Sequence, residues 1–411
     1  MPPLQPLNEF FNLKWSHSQS HSKRLTRSHG SSYAEACGHK WTQSCRNYHH
    51  LDRPSKTLAI DSRNTITNRN YNQIVIFGDS LSDTGNLFAG LQGFFPADPY
   101  FQGRFSNGPI WVDQLVPQLG LKPNQVLNFA IGGATTGRDN AAPVLLPGVP
   151  LPPLPGLLAE VDQYRTLLDS KPANPNALNV VFAGGNDFLV LPLTLLQGIA
   201  AGNVQSFIGL FGAVLQSVQN IATAVTELAH LGATTIAIAN LPNLGRTPLL
   251  VQQGLSAVAT AFTIGFNVVL EKTLIQLERS LKVDIAQVDL FSLGEAIAQR
   301  PQEFGFTNLK DPLIRQVNPV NPQGFFYWDD FHPTTQVHSL IADAFKRSLS
   351  KPTSSHVLQT SFNAVSNLVN SGTVRPILEV LLSQSSLPNY SSILSAVPSL
   401  NNLNLNNLVL R

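Results

Sequence analysis

Five apolar runs of strand length, each followed closely by Gly, Asn, Asp or Pro, constrain this chain most: Ile74–Phe77, Leu127–Ile131, Asn179–Ala183, Thr235–Ala239 and Val283–Val288. Helical patterns lie between them. From Val204 to His230, Phe207, Phe211, Val214, Leu215, Val218, Ile221, Ala222, Val225 and Leu228 recur at three- and four-residue spacing, the stripe of a helix with one buried side. A second pattern, Val337, Leu340, Ile341, Ala344 and Phe345, opens after His332-Pro333-Thr334, a combination that starts helices. Strands alternating with helices predict an α/β fold: a mostly parallel, five-stranded sheet covered on both faces, with functional residues beyond the carboxyl ends of the strands. No uninterrupted apolar run approaches the ~18 residues of a membrane span.

At 411 residues with 43% hydrophobic and 13% charged residues, the chain is neither disordered overall nor built of charged surface helices. It is long enough for one large catalytic domain with flanking segments. The net charge of +2 excludes a general nucleic-acid-binding surface, but it hides an asymmetry. Residues 1–70 carry ten Lys and Arg against four acids, both cysteines (Cys37 and Cys45) and six of the ten histidines. The remainder is mildly acidic and cysteine-free, so no disulfide framework supports it. His17, His21, His29, His39, His49 and His50 match no zinc-ligand spacing, and no metal is predicted. The extension also lacks the apolar core of a secretory signal, so it reads as a disordered segment or as sequence upstream of the real start. Because Met1 is the only methionine, a later start would use another codon.

Four strand ends carry polar residues whose types suit chemistry. The first strand leads into Gly78-Asp79-Ser80-Leu81, where Ser80 is either a nucleophile awaiting a base or a helix N-cap. The second leads into Gly132-Gly133, where a backbone N–H can approach a ligand closely, although paired glycines also make ordinary turns. The third leads into Gly184-Gly185-Asn186-Asp187. The Asn186 amide is a neutral donor able to stabilise an oxyanion, with an Asx turn as the competing reading; Asp187 either orients that amide or caps the following helix. The fourth is Asp329-Asp330-Phe331-His332. An Asp three residues before a His can hold Nδ1–H and leave Nε2 free as a base, with Asp330 as a rival partner one residue along.

Together these segments resemble the SGNH, or GDSL-type, serine hydrolases, the esterase/lipase family named for the block that Gly78-Asp79-Ser80-Leu81 matches. Asn128 to Thr135 resembles the family's glycine block, Gly184 to Asp187 its Gly-x-Asn-Asp block, and Asp329 to His332 its Asp-x-x-His block, in the family's order. The stretches Arg104–Pro109, Asn240–Gly245 and Phe304–Asn308 look alike as well, so the resemblance covers about 72–349. It implies a flavodoxin-like three-layer α/β/α sandwich. It also implies a triad of Ser80, Asp329 and His332 and an oxyanion hole of Ser80 N–H, Gly133 N–H and Asn186, with Gly133 preferred to Gly132. The Gly-x-Ser-x-Gly elbow of classical α/β hydrolases is absent. No cofactor is required. Resembling proteins are often exported, yet no signal peptide is recognisable here.

The resulting expectation is an ester hydrolase that works through an acyl-enzyme. An acyltransferase with an alcohol acceptor, or a non-catalytic ligand-binding relative, is the alternative. The partner is a small-molecule or lipid ester, with no nucleic acid; the oligomeric state and the substrate-binding residues are not assigned. Two apolar stretches, Val144–Leu154 and Val190–Leu196, either form a lip that receives an acyl chain or pack against the domain. The expected organisation is an extension over 1–71, a hydrolase domain over 72–349 and an appendage over 350–411. That appendage is low in charge and partly helical, and its lack of a Lys/Arg-rich face disfavours membrane contact.

Overall fold

The computed structural model describes residues 70–146, 148–316 and 322–350. The expectations for the basic extension and the C-terminal appendage fall almost wholly outside the described residues. Five strands, β1 (Gln73–Gly78), β2 (Val126–Asn128), β3 (Ala177–Phe182), β4 (Thr235–Ala239) and β5 (Asp284–Val288), form one sheet in the order β2-β1-β3-β4-β5. All four pairings are parallel, with Ile74 opposite Val126, Val75 opposite Asn179, Val180 opposite Ala237, and Ala237 opposite Ala286. The predicted fold class therefore holds, and the sheet is parallel throughout. Parallel strands need crossovers, and the crossovers here are helical. Among the described residues, the helices of eight residues or more are α1 (Trp111–Gln118), α2 (Leu157–Leu168), α3 (Leu193–Ala200), α4 (Val204–His230), α5 (Ser256–Leu281), α6 (Leu290–Gln299) and α7 (Thr335–Leu349).

The apolar runs are continuous because each strand feeds two cores. Along β1, Val75 and Phe77 face α2, α4 and α5, where they join Tyr164, Val225 and Phe262. Ile74 and Ile76 face the other side and join Trp111, Leu115, Ile341 and Phe345 of α1 and α7. Trp111 stacks on Phe345 with ring centroids 4.2 Å apart, tying those two helices together. Removing one such large side chain from water contributes about 1.5–3 kcal/mol, so the middle layer is held from both faces.

Helices α4 and α5 hold stretches long and apolar enough to cross a membrane by length and composition alone, which amends the expectation drawn from uninterrupted runs. Both belong to the core on one face of the sheet. The strand expected over Leu127–Ile131 is shorter as a ladder, for a local reason. Ala130 N–H turns back onto Asn128 Oδ1 at 3.0 Å, while Phe129 N–H and Ile131 N–H still reach Ile76 and Gly78 of β1.

With strand order 2-1-3-4-5, the chain adds β2 on one side of β1 and then crosses over to add β3 on the other. The crevice beyond the carboxyl ends of these strands is where such sheets bind ligands.

Candidate active site

At the end of β1, Gly78 has φ +151°, and a Cβ there would stand 2.2 Å from the Phe182 carbonyl oxygen of β3. Glycine alone lets the chain pass, and Gly78 N–H is taken by Glu160 Oε2 of α2 at 2.8 Å. The turn then presents Ser80, which caps no helix: the next helical turn, Asn86–Gly90, has Gly85 at its N-cap. The capping work falls to Asp83. Its carboxylate accepts from Gly85 N–H (2.8 Å), Asn86 N–H (2.6 Å) and Leu87 N–H (3.1 Å), and from Gly132 N–H (2.8 Å) across the crevice. Asn86 Nδ2 donates to the carbonyls of Asn128 and Ala130, and Asn128 Nδ2 donates to Ser82 and Thr84. One web of hydrogen bonds thus joins the loop after β1 to the loop after β2.

Because Gly132 N–H is spent on Asp83, the neighbouring Gly133 N–H is the one of the pair left without an acceptor among the described residues. Gly133 has φ +84°, and a Cβ there would lie 2.5 Å from Asn140 Oδ1. Ser80 N–H also has no acceptor among the described residues. Asn186, 7% exposed, sits in the first turn of Gly185–Leu189 and gives one amide hydrogen to Ala134 O at 3.0 Å, leaving the other for a ligand. Ser80, Gly133 and Asn186 all line the same cavity. Asp187 does neither job expected of it. Its carboxylate binds Thr136 N–H (2.9 Å), the Thr136 hydroxyl (2.5 Å) and the Ser217 hydroxyl (2.9 Å), tethering the loop after β2 to α4.

Asp329 and His332, expected at a fourth strand end, lie instead on the irregular loop before α7, well past the last strand. Ser80 Oγ lies 2.8 Å from His332 Nε2, and His332 Nδ1 lies 2.7 Å from Asp329 Oδ2. Asp329 Oδ1 accepts Phe331 N–H (2.8 Å) and His332 N–H (2.7 Å), so Asp329 is part of the same tight turn as His332. Asp330 turns away to Arg315 at 2.6 Å, which removes the rival partner for His332. Burial alone pushes the Asp329 carboxyl up. The His332 charge, the ring hydrogen bond and the two backbone N–H groups outweigh it and hold the carboxyl at about 2. The loop is braced by the stretch that precedes α1: Ser106 Oγ donates to Pro333 O (2.9 Å), and Asn107 Oδ1 accepts Thr335 N–H (2.9 Å).

A cavity of about 480 Å³ opens onto these groups. Its apolar wall includes Phe94, Leu145, Leu146, Leu189, Leu244 and Leu250. Of the two stretches weighed as a lip, the first supplies Leu145 and Leu146; in the second, Leu196 is buried in the core and Leu191 and Leu195 pack on it. Sequence reasoning missed Phe94, Phe95, Leu244, Leu250 and Ile314 as cavity walls, and missed Tyr100, whose hydroxyl donates to Asp329 Oδ2 at 2.9 Å. The aromatic and proline-rich run Phe94-Phe95-Pro96-Ala97-Asp98-Pro99-Tyr100 was the available signal for this loop.

The family model for GDSL-like lipase/acylhydrolase matches residues 74–345. The chain belongs to that family, whose chemistry is ester hydrolysis or acyl transfer, and its class is that of the carboxylic ester hydrolases. It is similar to a phosphatidylcholine-sterol acyltransferase of Aeromonas hydrophila, with 26% identity over 69% of this chain and 90% of the relative. It is also 26% identical to the thermolabile hemolysin of Vibrio parahaemolyticus over 67% of this chain, a match that spans 63% of the hemolysin's length. A GDSL esterase/lipase of Arabidopsis thaliana is 27% identical over 66% of this chain and 89% of the plant protein.

Proposed function

We propose that this protein is a serine esterase of lipid or other fatty-acyl esters, working through a Ser80–His332–Asp329 triad and an acyl-enzyme. The observation that carries the reading is one hydrogen-bonded line, Ser80 Oγ to His332 Nε2 at 2.8 Å and His332 Nδ1 to Asp329 at 2.7 Å, opening into an apolar-walled cavity. His332 takes the Ser80 proton as Oγ attacks the ester carbonyl carbon, and the carbonyl π electrons move onto its oxygen. That oxyanion is received by Ser80 N–H, Gly133 N–H and the second amide hydrogen of Asn186. Collapse of the tetrahedral species expels the alcohol with the proton from His332. Water then attacks the acyl-Ser80 ester by the same route, giving the free acid and restoring the serine.

The substrate class follows from the walls. Phe94, exposed by 49%, is one of the residues that wall the cavity, so its apolar lining extends out to solvent. Such a site favours acyl chains over acetylated sugars, and its volume falls within the range of about 300–1,000 Å³ usual for small-molecule sites. Acyl transfer to an alcohol uses the same residues with the alcohol replacing water, and the name of the Aeromonas relative supports keeping that as the second reading.

A p-nitrophenyl ester series from acetate to dodecanoate, run with and without glycerol, tests both readings. Octanoate should be preferred to acetate, and a glyceryl ester among the products would mark transfer. Ser80→Ala should lower kcat by ~10⁴-fold or more. Asn186→Ala should lower it by ~10²–10³-fold, the usual worth of one oxyanion donor. Unchanged turnover in Ser80→Ala would sink the triad, and a strict preference for acetate would sink the lipid assignment.

A further inference from the structure

Tyr100 lies on the loop whose Phe94, Phe95, Ala97, Asp98 and Pro99 wall the cavity. Its hydroxyl reaches Asp329 Oδ2 at 2.9 Å, the same oxygen that His332 Nδ1 approaches at 2.7 Å. The ring meets Trp328 edge-on (centroids 5.8 Å, 89°) and Phe105 (6.2 Å, 69°), and Phe105 packs against the His332 imidazole at 4.9 Å. Neither the four polar strand ends nor the family match assigns this residue a role.

We propose that Tyr100 is a positioning residue: its hydroxyl shares Asp329 Oδ2 with the imidazole and so sets how tightly the carboxylate holds protonated His332. The proposal rests on the reading of Ser80, His332 and Asp329 as a triad. A hydroxyl that donates to a carboxylate oxygen draws negative charge from it, and that oxygen then attracts a neighbouring cation less. Burial and the Asp329 charge push the Tyr100 hydroxyl well above the ordinary phenol range, so it remains a donor through any practical assay pH. Asp329 Oδ1 is anchored independently by two backbone N–H groups, so losing the phenol leaves the carboxylate in place and changes the electrostatics. The loop that walls the cavity is thereby latched, through one hydrogen bond, to the acid behind the base. The sequence offers no view of this, because the two residues lie 229 positions apart.

The test is Tyr100→Phe, which keeps the ring and deletes the hydroxyl. The acidic limb of the kcat/KM profile for p-nitrophenyl butyrate should move to higher pH by about half a unit, because Asp329 holds the imidazolium more tightly. KM should stay within about twofold, because the ring that packs the loop is retained. The low-field proton line of the His332 Nδ1–H should move as well, without any substrate present. Phe95→Leu loosens the same loop but keeps the hydroxyl; it should raise KM and leave the acidic limb at its wild-type pH. A limb and a proton line unmoved in Tyr100→Phe, or an equal limb shift in both variants, would overturn the proposal. Absence of ester turnover in the wild type would instead overturn the esterase reading, and the proton line would still decide the role of Tyr100.

Discussion

Asp79 and Glu160 lie on the Ser80 side of the site and Asp329 lies behind the His332 ring; all three are buried, at 4%, 0% and 5% exposure. Their carboxyls behave oppositely. Burial pushes Asp79 up to about 7, against the opposing pull of Leu81 N–H and the His332 charge, and pushes Glu160 well above the ordinary carboxylate range. Asp329 is held at about 2. The difference lies first in the His332 charge and its ring hydrogen bond, which pull hardest on Asp329, and then in the backbone donors. Asp79 takes Leu81 N–H at 3.0 Å and Glu160 takes Gly78 N–H at 2.8 Å, whereas Asp329 collects two backbone N–H groups, the imidazole and the Tyr100 hydroxyl. Burial removes water from every carboxyl; Asp83 is pushed up even with four backbone N–H donors, and Asp329 stays low because a cation stands against it as well. Negative charge therefore collects behind the imidazole, where it favours proton uptake, and is kept off the turn where an oxyanion would form.

The strongest way to break this contrast is Asp329→Asn, which keeps a side-chain oxygen for the backbone N–H groups but removes the charge and reverses the tautomer preference of the imidazole. We expect kcat to fall by ~10⁴-fold, and a loss under tenfold would mean that the charge behind the base is idle. Its neighbour provides the control. Asp330→Asn should hold kcat/KM within about fivefold while lowering stability by about 1 kcal/mol, modest because Arg315 is one-third exposed and its ion pair is screened. Chemical denaturation beside the ester assay separates the two effects.

The smallest effect concerns Glu160. A carboxyl whose folded value is raised binds more protons in the fold than in the unfolded chain, so its contribution to stability declines as pH climbs from about 4 toward the folded value. Wild-type melting temperature should therefore fall between pH 5 and pH 8. Glu160→Gln retains an oxygen for Gly78 N–H and cannot ionise, so its curve should be flatter and lie about 2–4 °C above wild type at pH 8. Parallel curves would show that Glu160 is not what sets the slope.

The strands were legible because central parallel strands are apolar on both faces, as Ile74 to Phe77 illustrate with alternate residues in two cores. Ser80 and Asn186 drew notice because polar residues just beyond strand ends have few structural reasons to be there, and Asp329 and His332 because an Asp-x-x-His pair on one loop suits a base and its partner. The long helix α5 escaped the sequence reading. Its buried side mixes Thr260, Thr263 and Asn267 with Phe262 and Phe266, which blurs the apolar stripe. Asn267 is buried for a reason only the fold supplies, since its side chain accepts Leu241 N–H and donates to Leu241 O after β4. Val190–Leu196 read equally well as lip or core; nothing in composition separates a wall from a core, and here Leu196 is in the core with Leu191 and Leu195 packed against it.

Asp83 accepts from N–H groups on both loops and so makes Ser80 and Gly133 parts of one rigid unit. The floor of the site is consequently independent of its walls. A transition-state mimic, such as a boronate small enough to ignore the walls, should find its cradle already assembled in the free enzyme. Substitutions among Phe94, Phe95, Leu145 and Leu244 can retune which chain is accepted while the reacting atoms keep their geometry. Substrate choice and chemical competence can then change separately in this molecule, the first by loop sequence and the second by a single carboxylate shared between two loops.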